Sequence, residues 1–198
     1  PNEVIKTMHY RRSVRAFTDQ PVKAEDIKLI LNAANKAPSA HNQQSWKFIV
    51  IKGKKKEQLV DLVSQKAADF PRATSVLLRL ASRSIASAPV VIAIANTGEL
   101  IEHGTKLFQV EYERSYDFFR TMEIQSSAAA VENLLLAVTS MGLGAVWLGV
   151  LFLIKDEVLT LLEEPKGEFM TVIPVGYPSK PSLGPNKKHL DMVIKEMD

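Results

Sequence analysis

Residues 126–141, SSAAAVENLLLAVTSM, constrain the fold more than any other stretch. The run is apolar nearly all round when wound at helical period, and such a helix is stable only where other elements cover it. It therefore predicts a central helix, ended by Gly142 and Gly144. The other elements must pack around it. Ile27, Ile30, Leu31 and Ala34 recur at helical spacing and predict a helix over 24–37, stopped by Pro38. WKFIVIK (46–52) is β-branched and aromatic between polar turns and predicts a strand. Leu59, Leu62 and Val63 return to helical spacing over 55–68. PVVIAIA (89–95) is a continuous apolar run, expected of a strand covered on both faces. AVWLGVL (145–151) and MTVIPVGY (170–177) predict further strands, with a helix over 155–164 between them.

Two regions follow no simple period. Residues 97–125 mix aromatics with charges, which fits a lid or dimer excursion or an ordinary surface helix anchored by a few rings. From Pro178 the chain is rich in proline and lysine and predicts an extended C-terminal arm. Helices and strands alternating around one core give an α/β or α+β architecture, a single domain over 1–198.

Composition narrows the function. A net charge of +3 gives no reason to expect a nucleic-acid or membrane-surface partner. The absence of cysteine removes disulfides, thiolate nucleophiles and cysteine-ligated metals. The longest apolar runs fall short of the roughly 20 residues that cross a bilayer, and no secretory signal opens the chain, so a cytoplasmic protein is expected. His9, His41, His103 and His189 are scattered, so no metal site is expected, and no H-E-x-x-H, Walker A or G-x-S-x-G pattern occurs.

Four stretches carry chemistry. RRSVR (11–15) gathers Arg11, Arg12, Ser13 and Arg15, either as a solvated basic face or as a phosphate site in which guanidiniums bond bidentately and the serine adds a neutral donor. APSAHNQQSW (37–46) crowds six polar side chains into one loop, where a simple turn needs one or two. Two of its amides, with Trp46 behind them, suit the edge of a planar heterocycle. GLGAVWLGV (142–150) is not a dinucleotide fingerprint, because Trp147 occupies the third glycine position and the run leaves a helix instead of entering one. Gly149 would let a ligand ring lie against the backbone. Lys187 and Lys188 are solvated tail charges unless the arm folds back toward Arg11. The chain thus offers a place for a planar anionic cofactor and no side-chain nucleophile, which leaves the chemistry to the cofactor.

Taken in order, RRSVR (11–15), PSAHNQQSW (38–46), ENLLLAVTSMGLG (132–144), VWLG (146–149) and VGYP (175–178) resemble the FMN-dependent nitroreductase family. The resemblance implies an α+β nitroreductase-like fold, with a central, mostly antiparallel sheet flanked by helices, in an intertwined homodimer holding two FMN at the interface. It implies that Arg11 and Ser13, with Arg12 beside them, meet the phosphate and ribityl chain, and that Arg15 lies by the flavin pyrimidine edge on the N1 side. Pro38, Ser39, Ala40 and Asn42 would reach the FMN of the other subunit. The backbone of Leu148 and Gly149 would face N5, with Trp147 beside them at the cofactor, and Lys187 and Lys188 would close the phosphate site. Ser45 stands where many members have proline. Ser126 stands where many carry an acidic or amide residue, a role for which neighbouring Gln125 is the substitute. Iodotyrosine deiodinases share this scaffold, but residues 66–84 contain neither the Glu nor the Tyr of their lid. The implied activity is ping-pong electron transfer from NADH or NADPH to a nitroaromatic or quinone. The alternatives are a flavin-storing module of the same fold and, less compatible with the charge, a nucleic-acid-binding protein.

Overall fold

The computed structural model describes residues 2–164 and 166–197, so residues 1 and 198, the bounds of the expected domain, lie outside the described residues. Four strands, β1 (Trp46–Ile51), β2 (Val90–Asn96), β3 (Gly144–Ala145) and β4 (Glu168–Gly176), form one sheet in the order β1-β2-β4-β3. Every neighbouring pair is antiparallel. The helices are α1 (Glu3–Tyr10), α2 (Ala24–Ala34), α3 (Gly53–Lys66), α4 (Arg72–Ser87), α5 (Glu99–Leu107), α6 (Tyr112–Ser140) and α7 (Lys155–Leu161).

The period-2 geometry of β2 explains the layers. Val91, Ala93 and Ala95 pack with Leu59 and Val63 of α3, Leu78 and Ile85 of α4 and Val158 of α7. Val90, Ile92 and Ile94 point the other way, against Ile27 and Ile30 of α2 and Val131, Leu134 and Val138 of α6. Every residue of β2 is buried, as its unbroken apolar run predicts. Each large side chain fully buried there contributes on the order of 1.5–3 kcal/mol.

Helix α6 begins 14 residues before the predicted start, at Tyr112, and runs 29 residues, about 43 Å. Its C-terminal half crosses the sheet as predicted. The cover is incomplete, however: Glu132 is exposed, and Ala129, Asn133 and Leu136 are only half-buried. A single chain leaves this stripe of the helix open.

Three features that the sequence reading left open or placed differently have physical causes. Residues 97–125 take the helical alternative, as α5 packed against the first half of α6. At their crossing a Cβ on Gly104 would sit 2.3 Å from the Phe119 ring, so only glycine allows the approach. Helix α4, which the sequence reading left unassigned, is amphipathic, but two residues of its buried face are serines, Ser82 and Ser84. The Ser82 hydroxyl lies 2.7 Å from that of Ser64 and donates to the Val60 carbonyl, so burial costs it no hydrogen bond. The predicted strand 145–151 ends early. After Ala145 only Leu148 bridges to Val172, and Gly149–Ile154 winds into a 3-10 helix.

Candidate functional site

The segment after α1 runs extended along the sheet edge. Val14 N–H donates to the Ala145 carbonyl at 2.9 Å, and the Val14 side chain packs on Gly144, where a Cβ would come within 2.7 Å of it. Strand alternation then turns Ser13 and Arg15 outward, and both are exposed. The Arg15 carbonyl is fixed by the Ser84 hydroxyl at 2.9 Å. Its guanidinium meets no carboxylate among the described residues.

Arg15 stands between two cavities. One, about 190 Å³, is also lined by Leu77, Leu80, Trp147, Leu148 and Gly149. The other, about 280 Å³, lies between Ser13–Ala16 and Lys180–Ser182. The predicted cation and the predicted W-x-G backbone therefore share a wall. Gly149 is open, with Trp147 Nε1 3.8 Å from where a Cβ would sit, and Trp147 itself is partly exposed. The two amides differ. Leu148 N–H already donates to the Val172 carbonyl at 3.0 Å, whereas Gly149 N–H opens the 3-10 helix and has no partner within it. Of the two backbone donors expected at N5, Gly149 is the available one.

Arg11 and Arg12 have separate fates. Arg11 Nε lies 3.8 Å from Glu132 Oε1, a long and half-exposed ion pair that leaves the guanidinium mostly unengaged. Arg12 is bound up within the protein: Nε donates to Leu183 O at 2.7 Å, and Nη1 to His9 O at 2.6 Å and Arg11 O at 2.8 Å. Nε and Nη1 of Arg12, expected beside Arg11 and Ser13 at the phosphate, are thus already engaged.

The C-terminal arm does fold back. Thr18 N–H donates to Tyr177 O and Ser179 N–H to Ala16 O, which brings Lys180 to the cavity beside Ser13 and Arg15. Lys187 and Lys188 lie farther along the arm, exposed, with no hydrogen bond to residues 11–15 among the described residues. The basic residue that the arm contributes is Lys180, which the lysine pair obscured in the sequence.

The second polar group is the loop before β1. Ser39 Oγ accepts Gln44 N–H at 3.0 Å, and Ser126 Oγ accepts Ala40 N–H at 3.1 Å while donating to Met122 O at 2.6 Å. Ser126 is thus the post that holds the loop, and Gln125 beside it is exposed, as are Pro38 and Asn42. His41, Asn42 and Gln44 have φ of 54°, 51° and 52°. Such left-handed conformations cost non-glycine residues roughly 1–2 kcal/mol each, least for asparagine, and cluster at functional sites.

Ser45 and Glu123 were not legible as partners. Ser45 is buried, its hydroxyl 3.1 Å from Leu100 N, and Glu123 Oε1 accepts the same N–H at 2.9 Å. A proline at 45 would remove this hydroxyl from the start of α5. Burial pushes the Glu123 carboxyl above its ordinary range, against the opposing pull of its hydrogen bonds from Leu100 N–H and Ser45.

The loop and the arginine segment occupy diagonal corners of the sheet. Trp46 pairs with Asn96 at one end of β2, while Val90, at the other end, pairs with Val175, which also pairs with Ala145 beside Ser13. Six residues along a strand span about 20 Å, and the four steps across the sheet from β1 to Ser13 span about 19 Å. The two groups are therefore on the order of 25 Å apart in one chain.

A larger cavity, about 660 Å³, is walled by α5, α6 and α7 and holds none of the sequence-predicted site residues. Its charges are largely spent on one another, Arg120 donating from Nε and Nη2 to Glu168 Oε1 at 2.8 and 2.5 Å. It offers less to a planar anionic cofactor than the cavities that flank Arg15.

Among the described residues no helix is long and apolar enough to cross a membrane. A provisionally named NADH dehydrogenase/NAD(P)H nitroreductase from Archaeoglobus fulgidus is 30% identical over 181 residues, 89% of this chain and 86% of that one. The FMN reductase [NAD(P)H] of Bacillus subtilis is 27% identical over 90% of this chain and 67% of its own. A provisionally named nitroreductase from Desulfovibrio desulfuricans, solved in complex with FMN, superposes with a TM-score of 0.74 at 26% identity, covering 100% of this chain and 98% of its own. The nitroreductase family model matches residues 8–177. With the sheet, the W-x-G turn and the arginine segment all in place, this chain belongs to the nitroreductase family.

Proposed function

We propose that the protein is an FMN-dependent oxidoreductase that takes electrons from NADH or NADPH and passes them to a small electrophilic acceptor such as a nitroaromatic or quinone. The observation that carries this reading is the cavity in which the unpaired guanidinium of Arg15 and the open amide of Gly149 face one space. These residues fit FMN: a cation for the pyrimidine edge, a backbone donor that fixes orientation, and Ser13 beside a second cavity where Lys180 adds positive charge. FMN, when bound, supplies two-electron transfer, received from the nicotinamide in one half-reaction and given to the acceptor in the other. The chain's own part is electrostatic. The Arg15 guanidinium, carried on a backbone that Ser84 fixes, would stabilise the negative charge that reduction puts on the ring.

The assembly proposed with it is a homodimer. Diagonal corners of one sheet cannot both face the same ring, whereas the loop of a second chain laid against the first chain's arginine segment satisfies both assignments. The open stripe of α6 supports this, as do the exposed Val4, Met8 and Tyr10 of α1. The three left-handed residues of the loop are consistent with a shape kept for a partner's ligand.

The experiment is an anaerobic titration of the purified protein. The expected result is yellow protein that releases FMN on denaturation, bleaches with NADH or NADPH, and recovers colour on adding a nitroaromatic or quinone. Bound FMN that neither donor bleaches favours the storage reading, and a colourless protein that does not take up FMN contradicts the proposal.

A further inference from the structure

Helix α4 carries Arg72, Arg79 and Arg83 and no acidic residue. At about 100° per residue, Arg72, Val76, Arg79 and Arg83 lie on one face, and all four are exposed. None of the three arginines pairs with a carboxylate among the described residues. Among the described residues their one side-chain hydrogen bond is from Arg79 Nε to Ser75 Oγ, long at 3.4 Å. Arg79 and Arg83, four residues apart, repel each other, so the stripe does not stabilise the helix that bears it.

The position of the stripe gives it meaning. Leu77 and Leu80 of α4 line the cavity shared with Arg15 and Gly149. Going round the helix from that cavity, the order is Leu77, Leu80, Val76 and then the arginines. These three aliphatic side chains are 54%, 47% and 48% exposed, and form an apolar strip between cavity and charge. A molecule with a flat ring at the cavity mouth would lay its body on this strip and bring an anionic end to the guanidiniums.

We propose that the outer face of α4 docks the phosphate groups of the dinucleotide hydride donor and thereby selects NADPH over NADH. The inference rests on the reaction proposed above. Charge complementarity carries the choice: a phosphate monoester adds about −1.5 to −2 charges near pH 7 to a molecule otherwise identical. Three unpaired guanidiniums on one face recognise that difference, and do so less well as salt is raised.

The test uses FMN-loaded protein and the triple variant Arg72→Gln, Arg79→Gln, Arg83→Gln. These side chains are exposed, so FMN content should be retained and serves as the check on folding. Binding of NADP+ and NAD+ to the oxidised protein is measured by calorimetry, and bleaching by NADPH and NADH by anaerobic stopped flow. In the wild type the phosphorylated form should bind more tightly, and the triple variant should lower that preference by about tenfold or more. A variant that loses three charges on α2 and at its two ends, Lys23→Gln, Lys28→Gln, Lys36→Gln, should leave the preference in place. An unchanged preference in the arginine variant, or an equal loss in the lysine variant, overturns the α4 site while leaving the flavin reading intact. Holoprotein that neither donor bleaches, but whose NADP+ binding still depends on the arginines, removes the proposed reaction and keeps the site.

Discussion

Arg12 Nε donates to the carbonyl of Leu183 at 2.7 Å, a contact between residues 171 positions apart. It clasps the C-terminal arm to the end of α1. The fit is close, since a Cβ on Gly184 would lie 2.6 Å from Arg12 Cδ and Gly184 has a φ of +66°. The two adjacent arginines of the R-R-S motif thus divide the work: Arg12 holds the arm in place, and Arg11 remains available to an anion.

That division predicts opposite phenotypes. Arg11→Ala should weaken FMN binding about ten- to hundredfold, the loss expected of a charge-assisted bond. Arg12→Ala should act first on the arm, raising amide exchange at Ser179 and tryptic cleavage after Lys187 and Lys188, with a stability loss on the order of 1 kcal/mol. Equilibrium flavin binding and exchange mass spectrometry separate the two. Identical FMN losses with an arm equally protected in both variants would contradict the assignment.

Arg15→Gln should lower the midpoint potential of the bound flavin and slow its reduction, because the negative charge of the reduced ring loses its fixed counter-ion. FMN content and the far-UV spectrum should stay unchanged, since the Ser84 bond to Arg15 uses the main chain. A redox titration against a dye reads the shift, and an unaltered potential would remove Arg15 from the mechanism.

Glu123 predicts a pH-dependent stability. Burial raises its folded-state pKa above the unfolded value, so its contribution is fully present below the unfolded pKa. It is lost as pH rises through the folded pKa. Glu123→Gln keeps an acceptor for Leu100 N–H and removes the titration. The variant should therefore be more stable than wild type at pH 7, and the difference should shrink on acidification through the carboxylate range. Urea unfolding of both proteins from pH 4 to 8 measures it. A gap of constant size across that range would show that Glu123 titrates alike folded and unfolded.

Gly104→Ala should destabilise the α5–α6 pair by about 1–3 kcal/mol, since the new methyl group must displace a fully buried Phe119 ring. A thermal midpoint equal to that of wild type would mean that this crossing is looser than its geometry.

Elements whose side chains obey one period were legible in the sequence. β2 reads as a strand with two covered faces because it is one, and α2, α3 and the second half of α6 declare their apolar stripes. α4 is no less amphipathic but went unread, since its buried face includes Ser82 and Ser84, whose hydroxyls are satisfied only by the folded neighbours Val60, Ser64 and Arg15. The first half of α6 was obscured because Tyr116, Phe118 and Phe119 point in several directions, and only Phe119 is fully buried. At the candidate site, short motifs singled out Arg15 and Gly149, which line one cavity, and the loop of Asn42. They could not show that Leu148 N–H and the Arg12 guanidinium are already bonded, nor that the arm would present Lys180 in place of Lys187 and Lys188. Most of those facts depend on contacts between residues distant in sequence, such as Arg12 with Leu183 and Leu148 with Val172.

The central claim, that each flavin site is built from the arginine segment of one chain and the loop of another, is tested most directly by mixing two crippled variants. Arg11→Ala and Asn42→Asp, each poor in FMN alone, are refolded together and the heterodimer is isolated. In that heterodimer one site combines both defects and the other contains neither, so flavin should return to about one FMN per two chains. Heterodimers that stay as empty as their parents, or a stable monomer that carries FMN, would contradict the shared site.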